Sequence, residues 1–326
     1  MPESAVSTVA AIDDDVPILL SPGLTGADRA FRGVLATGGF IVLLLLGAIV
    51  FFLVVNGADG AAKFGLHILT SDRWAPPVSY GILGALVGSI VIAILALAFA
   101  LPLSLACALM INEYAPSWLR RILIGAIDLL ATVPSIVYGF WGLVALKDYV
   151  NGPTVFLGNH GAFIPLFRSP EAGTYGYSIF LCGLVVGIMI IPTVTSISRE
   201  VMARVPRDAC EASLALGGTR WGMVTDVILP FSRNGIIGAS LLGLGRAFGE
   251  TMAVLLILSP SNILTTSILG PNGLGSITYL IGNYFENFPK LGQSVLTEAG
   301  LLLLISTLLV NVVARLVVDR TGGSPA

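Results

Sequence analysis

The chain has 326 residues, 55% of them hydrophobic and only 11% charged, with a formal net charge of -2 and a mean hydropathy of +0.91. Soluble domains carry about 25% charged residues, so a protein solvated on every side is excluded; without a basic stripe, so is a nucleic-acid binder. Cys107, Cys182 and Cys210 sit in or beside apolar runs with no CxxC spacing, which argues against a disulfide framework and leaves them as small packing residues.

The first 33 residues lack the basic start of a secretory signal and carry the acidic run Asp13 to Asp15 instead, so they read as a polar, disordered cytoplasmic tail. About 20 apolar residues cross a bilayer as a helix. Six stretches within residues 34–320 meet that requirement: 34–55, 82–110, 122–146, 177–197, 235–258 and 295–318, with a short tail at 321–326. With a cytoplasmic N-terminus, eleven of the seventeen Lys and Arg fall on the inside and five on the outside. That bias sets the orientation. The expected fold is an all-α membrane protein of six transmembrane helices with both termini in the cytoplasm.

In the second span, "GILGALVGS" places Gly84 and Gly88 at the GxxxG spacing, and Gly245 and Gly249 repeat it in the fifth. Close helix approach in lipid depends on such residues, so a tightly packed bundle is expected. Asp128 lies inside the third span and is expected to pair with an arginine of a cytoplasmic loop, while Pro134 is expected to kink its helix. His67 and His160 fall in outer segments without neighbouring ligands, so no metal site and no cofactor are expected in this chain.

The loop 198–233, "SREVMARVPRDACEASLALGGTRWGMVTDVILPFSR", reads as two short helices with a glycine hinge. Pro206 suits the first turn of the first helix, Gly217 and Gly218 its left-handed end, and Thr219 the cap of the second. Pro230 is expected to stop the second helix before the fifth span. Periodicity alone leaves two readings, a docking knob for a partner or an amphipathic loop on the membrane surface.

Glu211-Ala212-Ser213, three residues, Gly217, nine residues and Val227-Ile228-Leu229-Pro230 closely resemble the EAA signature of ABC-importer permeases, with Ser213 and Val227 as mild departures. The resemblance implies a type I importer permease fold in which this loop inserts into an ATP-binding subunit. It assigns that coupling to Glu211, Ala212, Gly217, Leu229 and Pro230. The chain itself has no P-loop, because Lys63, Lys147 and Lys290 all lack the glycine-rich setting that holds phosphates. ATP and Mg are therefore expected on a partner, and this chain is expected to be non-catalytic.

In the fifth span, "LLGLGRAFGETMAVLLIL" is apolar except for Arg246 and Glu250 and their immediate neighbours. Arg246 lies roughly 17 Å of helix from either end, too deep for simple snorkelling, and a central Arg costs about 2.5–3.5 kcal/mol on insertion scales. Continuous helix would place Glu250 on the same face, so that the two charges partly neutralise each other. The pair is then either a structural ion pair or part of an anion path, where a guanidinium offers planar donors to an oxyanion and a carboxylate keeps its hold weak.

"LGLGRAFGETMAV" and "LLATVPSIVYGFWG" (129–142) resemble the fifth and third spans of PstC-type permease subunits of bacterial phosphate importers. The resemblance implies that Arg246 and Glu250 lie on the phosphate path. It also implies the bacterial inner membrane, with three kinds of partner: a sister permease of the PstA type, two ATP-binding subunits and an external phosphate-binding protein. A sulfate or molybdate importer permease and a self-sufficient secondary anion transporter stand as alternatives, whereas a membrane hydrolase would need a nucleophile, base and metal cluster that the sequence lacks. Glu298 is expected at the interface opening the sixth span, and "GSITYLIGNYF" (275–285) is expected to form a short outer or re-entrant helix.

Overall fold

The structure is a computed structural model that describes residues 26–65, 67–168, 176–258, 264–270 and 273–321, with side chains described to residue 316. By its internal contacts the chain divides into Met1–Phe51 and Phe52–Ala326. In the first unit the described residues form the start of helix α1 (Gly26–Phe64), apolar on nearly every side and almost wholly exposed, as expected of a segment whose neighbour is lipid. Helix α1 begins inside the stretch read as a tail, with Asp28 in its first turn, where a negative charge favours helix. Residues 1–25 and 322–326 lie outside the described residues.

In the second unit a single helical turn, His67–Thr70, and a ribbon of β1 (Trp74–Ala75) and β2 (Ser79–Tyr80) precede the bundle. Its helices are α2 (Leu83–Tyr114), α3 (Ser117–Thr132), α4 (Ser135–His160), α5 (Ile179–Met202), α6 (Arg207–Ala215), α7 (Arg220–Phe248), α8 (Met252–Ile257), α9 (Ile277–Tyr284) and α10 (Lys290–Thr321). Among the described residues five helices (α1, α2, α5, α7 and α10) are long and apolar enough to cross a membrane, and the bent pair α3–α4 makes a sixth if counted as one span.

Helix α5 is the packed centre, with α2 and α7 against it. Small residues permit the approach: a carbon added at Gly187 would come within 3.0 Å of the Ala96 carbonyl, and one at Gly243 within 2.7 Å of Val194. Gly88 meets the Gly275 carbonyl with no room for a side chain. Gly245 and Gly249 behave otherwise. Neither faces a neighbouring helix, so their GxxxG spacing does no packing among the described residues.

Two expected spans are broken. At Pro134 the third turns by 94°, because the residue before a proline is driven extended (Val133 ψ is 127°) and the ring removes a helical N–H. The Leu130 carbonyl, four residues back, loses its regular donor and accepts instead the Val133 N–H at 3.4 Å and the Tyr138 hydroxyl at 2.8 Å. The fifth span ends as helix at Phe248 and resumes at Met252. The broken segments pack together: α4 lies on α8 so closely that a carbon at Gly139 would sit 2.7 Å from the Ala253 Cα.

The second short helix of the loop does not stop at Pro230. It continues as α7 through a widened turn, in which the Leu229 N–H donates to the carbonyl of Val224, five residues back. The extra residue in that turn accommodates the missing N–H of Pro230, so the helix passes through. Similar turns occur at Met110–Tyr114 and Gly142–Leu146.

Candidate functional site

The chain's most expensive residues gather at the break between α7 and α8. Gly249 closes the helix with its N–H on the Gly245 carbonyl, and the Glu250 N–H reaches only the Ala247 carbonyl three residues back. A new ladder opens at the Thr251 carbonyl, which accepts the Leu255 N–H. In the hydrocarbon such a break survives only when its polar groups find partners. Glu250 supplies two of them. Its Oε1 accepts the Ala253 N–H at 3.0 Å, capping α8, and its backbone carbonyl accepts the Thr278 hydroxyl at 2.9 Å. The residue is 8% exposed.

Arg246 faces the other way. It lies in the last turn of α7, exposed, with Nη1 donating to Thr193 Oγ1 of α5 at 3.4 Å. No ion pair joins Arg246 to Glu250. The expectation of one shared helix face is therefore corrected: the break at Gly249 rotates the carboxylate inward onto α8 and leaves the guanidinium outward. A carbon added at Gly245 would meet nothing and one at Gly249 only the backbone carbonyls of its own turn, so the helix face on one side of Arg246 is left uncovered by the described residues.

Thr193 and Thr278 were not legible as members of this site. Thr278 lies in "GSITYLIGNYF", which does form a short helix, α9, packed on α2, α8 and α10. Asp128 is exposed on α3 and forms no ion pair among the described residues, so its expected arginine partner is not found. Glu298 lies within the α1–α10 contact, its Oε2 buried without a partner and near Gly60. Among the described residues no three His, Cys, Asp or Glu gather in a metal-binding group.

A second candidate surface lies on the loop 198–233. Glu211 and Ala212 are exposed on α6, and Gly217 takes the left-handed conformation at φ 87° with nothing crowding it. Pro206 is the cap just before α6, and the Thr219 hydroxyl accepts the Gly222 N–H at 3.0 Å to start α7. Pro230 is exposed and Leu229 half-buried. Leu216 at 90% and Trp221 at 63% present apolar surface beyond them. Below this surface a compact core of Ala108, Met202, Val205, Met223, Val224 and Ile228 fastens the loop to the ends of α2 and α5. Beside it Asn112 accepts Arg120 Nη2 at 3.1 Å and donates to the Arg199 carbonyl at 2.8 Å. Cys210 opens on a cleft of about 330 Å³ with Glu113 and Glu211. Burial first, then those two carboxylates, pushes its thiol above the usual range.

Residues 100–322 match the family model described as the binding-protein-dependent transport system inner membrane component. A phosphate transport system permease protein PstC of Haemophilus influenzae is 36% identical over 301 residues, covering 91% of this chain and 94% of its own. One from Xylella fastidiosa is 38% identical, covering 90% and 91%. A probable counterpart from Methanocaldococcus jannaschii is 35% identical, covering 84% and 88%. Among solved structures, a bacterial ABC transporter involved in the import of alginate aligns with a TM-score of 0.56 at 17% identity, over 90% of this chain and 99% of that one. The MetNI methionine ABC transporter aligns with a TM-score of 0.53 at 14% identity, over 77% and 100%. These two likenesses concern the fold.

Proposed function

The chain belongs to the phosphate transport system permeases of the PstC type, within the binding-protein-dependent transport system inner membrane components, and we infer from that premise that phosphate passes beside Arg246. The chain is a multi-pass inner-membrane permease subunit of an ABC phosphate importer. The observation that carries the path assignment is an exposed guanidinium, deep in a broken span and beside two open glycines, with no carboxylate paired to it. An unpaired Arg in that position is free to exchange its donors with an oxyanion. Glu250 acts on it through the backbone: by capping α8 it fixes the break and so the direction in which Arg246 leaves α7. Its buried charge also tempers the guanidinium's attraction, which favours release over tight binding.

The coupling role rests on the loop. Glu211, Ala212, Gly217, Leu229 and Pro230 form the face that meets an ATP-binding subunit, and the small core beneath them carries a shift of that face into α2 and α5 as a rigid body. ATP and Mg then reside on the ATP-binding dimer, and this chain performs no hydrolysis. A second permease of the PstA type completes the path, an external phosphate-binding protein delivers the anion, and both termini lie in the cytoplasm with lipid around the bundle.

Radiolabelled phosphate uptake in cells lacking their own importer, supplied with all subunits, tests the assignment. Arg246→Ala and Glu250→Ala are expected to assemble normally and to lose at least about tenfold of the uptake rate. Normal transport by both assembled variants would overturn the path reading. Competition by sulfate or molybdate as strong as by phosphate itself would move the substrate to another tetrahedral oxyanion.

A further inference from the structure

A row of buried hydroxyls runs from Glu250 to the second span. Thr278 Oγ1 donates to the Glu250 carbonyl at 2.9 Å, Ser276 Oγ lies 2.8 Å from Thr278 Oγ1, and Ser89 Oγ lies 3.2 Å from Ser276 Oγ. Ser89 donates its proton to the Ala85 carbonyl at 2.9 Å and accepts the Ile277 N–H at 3.0 Å, so that N–H, rather than a proton between the two serines, ties α9 to α2. All three side chains are buried, at 6%, 2% and 4% exposed. A hydroxyl has one proton and two acceptor sites. Thr278 directs its proton to the Glu250 carbonyl, so in their mutual bond Ser276 must be the donor. The direction of the row at Glu250 is thereby fixed.

The Glu250 carbonyl belongs to no helix, since α8 starts two residues later and its own N–H bonds begin from the Thr251 carbonyl. Thr278 supplies the donor that the backbone does not. Glu250 is thus held at two points: the carboxylate by the α8 N–H, the carbonyl by a hydroxyl whose other neighbours are anchored to α2. The anchorage is short. Gly88, next to Ser89, is pressed against the Gly275 carbonyl, next to Ser276, with no room for a side chain.

We propose that Thr278, backed by Ser276 and Ser89, is a positioning residue for transport, setting the orientation of Glu250 and through it the break from which Arg246 projects. The proposal rests on the reading of Glu250 as part of the path and adds to it the group that aims it. It also gives "GSITYLIGNYF" a role inside the membrane bundle.

The test uses the complete transporter, with all partner subunits, in proteoliposomes at saturating ATP. Phosphate uptake is measured for Thr278→Val and Thr278→Ser, each in the wild-type and the Glu250→Asp background, with subunit assembly checked alongside. Thr278→Val removes the donor at nearly constant shape and is expected to lower uptake about tenfold. Thr278→Ser keeps the donor and is expected to stay within about twofold of wild type. In the Glu250→Asp background the carboxylate is already withdrawn from the Ala253 N–H, so Thr278→Val is expected to cost less than about twofold more. Equal fold-losses in both backgrounds, or a loss that follows failed assembly, would make Thr278 merely structural and overturn the proposal. The Glu250→Gln single variant reads the underlying assignment separately: normal uptake there takes Glu250 off the path. Low uptake in Glu250→Gln with undiminished uptake in Thr278→Val overturns the positioning role alone.

Discussion

At the scale of residues, orientation outweighs sequence spacing. Arg246 and Glu250 are four apart, the distance at which helical side chains meet, yet one is exposed and the other caps a new helix. The expense of each charge was readable in the sequence. Their separation was not, because nothing in a hydropathy window records where the backbone leaves the helix, and the Thr278 hydroxyl that stabilises the exit lies 28 residues further on. Cys210 gives a residue-scale check on the loop. Its thiol is raised by burial, Glu113 and Glu211, and only the thiolate is nucleophilic. At pH 7–8 it should therefore react with a maleimide more slowly than a free cysteine, the two rates converging as pH rises past the raised value. Glu211→Gln removes one of the three causes and should speed the reaction at pH 8. A rate equal to that of free cysteine, unmoved by Glu211→Gln, would show that the cleft around Cys210 is not formed as described.

At the scale of elements, the legible parts were those with local causes. The EAA spacing lies within one run of twenty residues, and the left-handed Gly217, the Thr219 cap and the helix break at Pro134 each depend on residues within a few positions of one another. The widened turn that carries α7 past Pro230 was missed, because a proline in sequence reads as a stop unless the preceding turn can expand. Gly217 offers the sharpest element-scale prediction. No atom of a neighbouring residue crowds it, so its requirement is the φ of 87° alone. Asn tolerates that conformation, whereas a β-branched residue loses about 1–2 kcal/mol there. Gly217→Asn should therefore retain the ATP-binding subunit on co-purification, and Gly217→Val should lose most of it together with ATP-dependent uptake. Retention by both variants would mean that the left-handed turn does not shape the docking face.

At the scale of the molecule, α5 ties both surfaces together, with Thr193 beside Arg246 and Met202 in the core under the loop. A motion entering at the loop thus reaches the break along one packed helix. Liposomes that hold this chain alone should take up no phosphate under a proton gradient, and uptake should appear only once the partner subunits and ATP are added. Uptake by the chain alone would instead identify a secondary transporter. The turn at Val224–Ile228 adds a matter of angular phase. It is a one-residue insertion absorbed by a helix that carries the proposed coupling face at one end and Arg246 at the other. Because the widened turn takes up its extra residue locally, the winding on either side stays in phase. Deleting one residue there would leave the loop and Arg246 in their relative directions and instead set the Pro230 ring against a regular turn. Deleting one residue from the regular stretch 236–242 would swing one end against the other by about 100°. A chain shortened there would keep every residue of both surfaces, and either its loop or its arginine would point in the wrong direction.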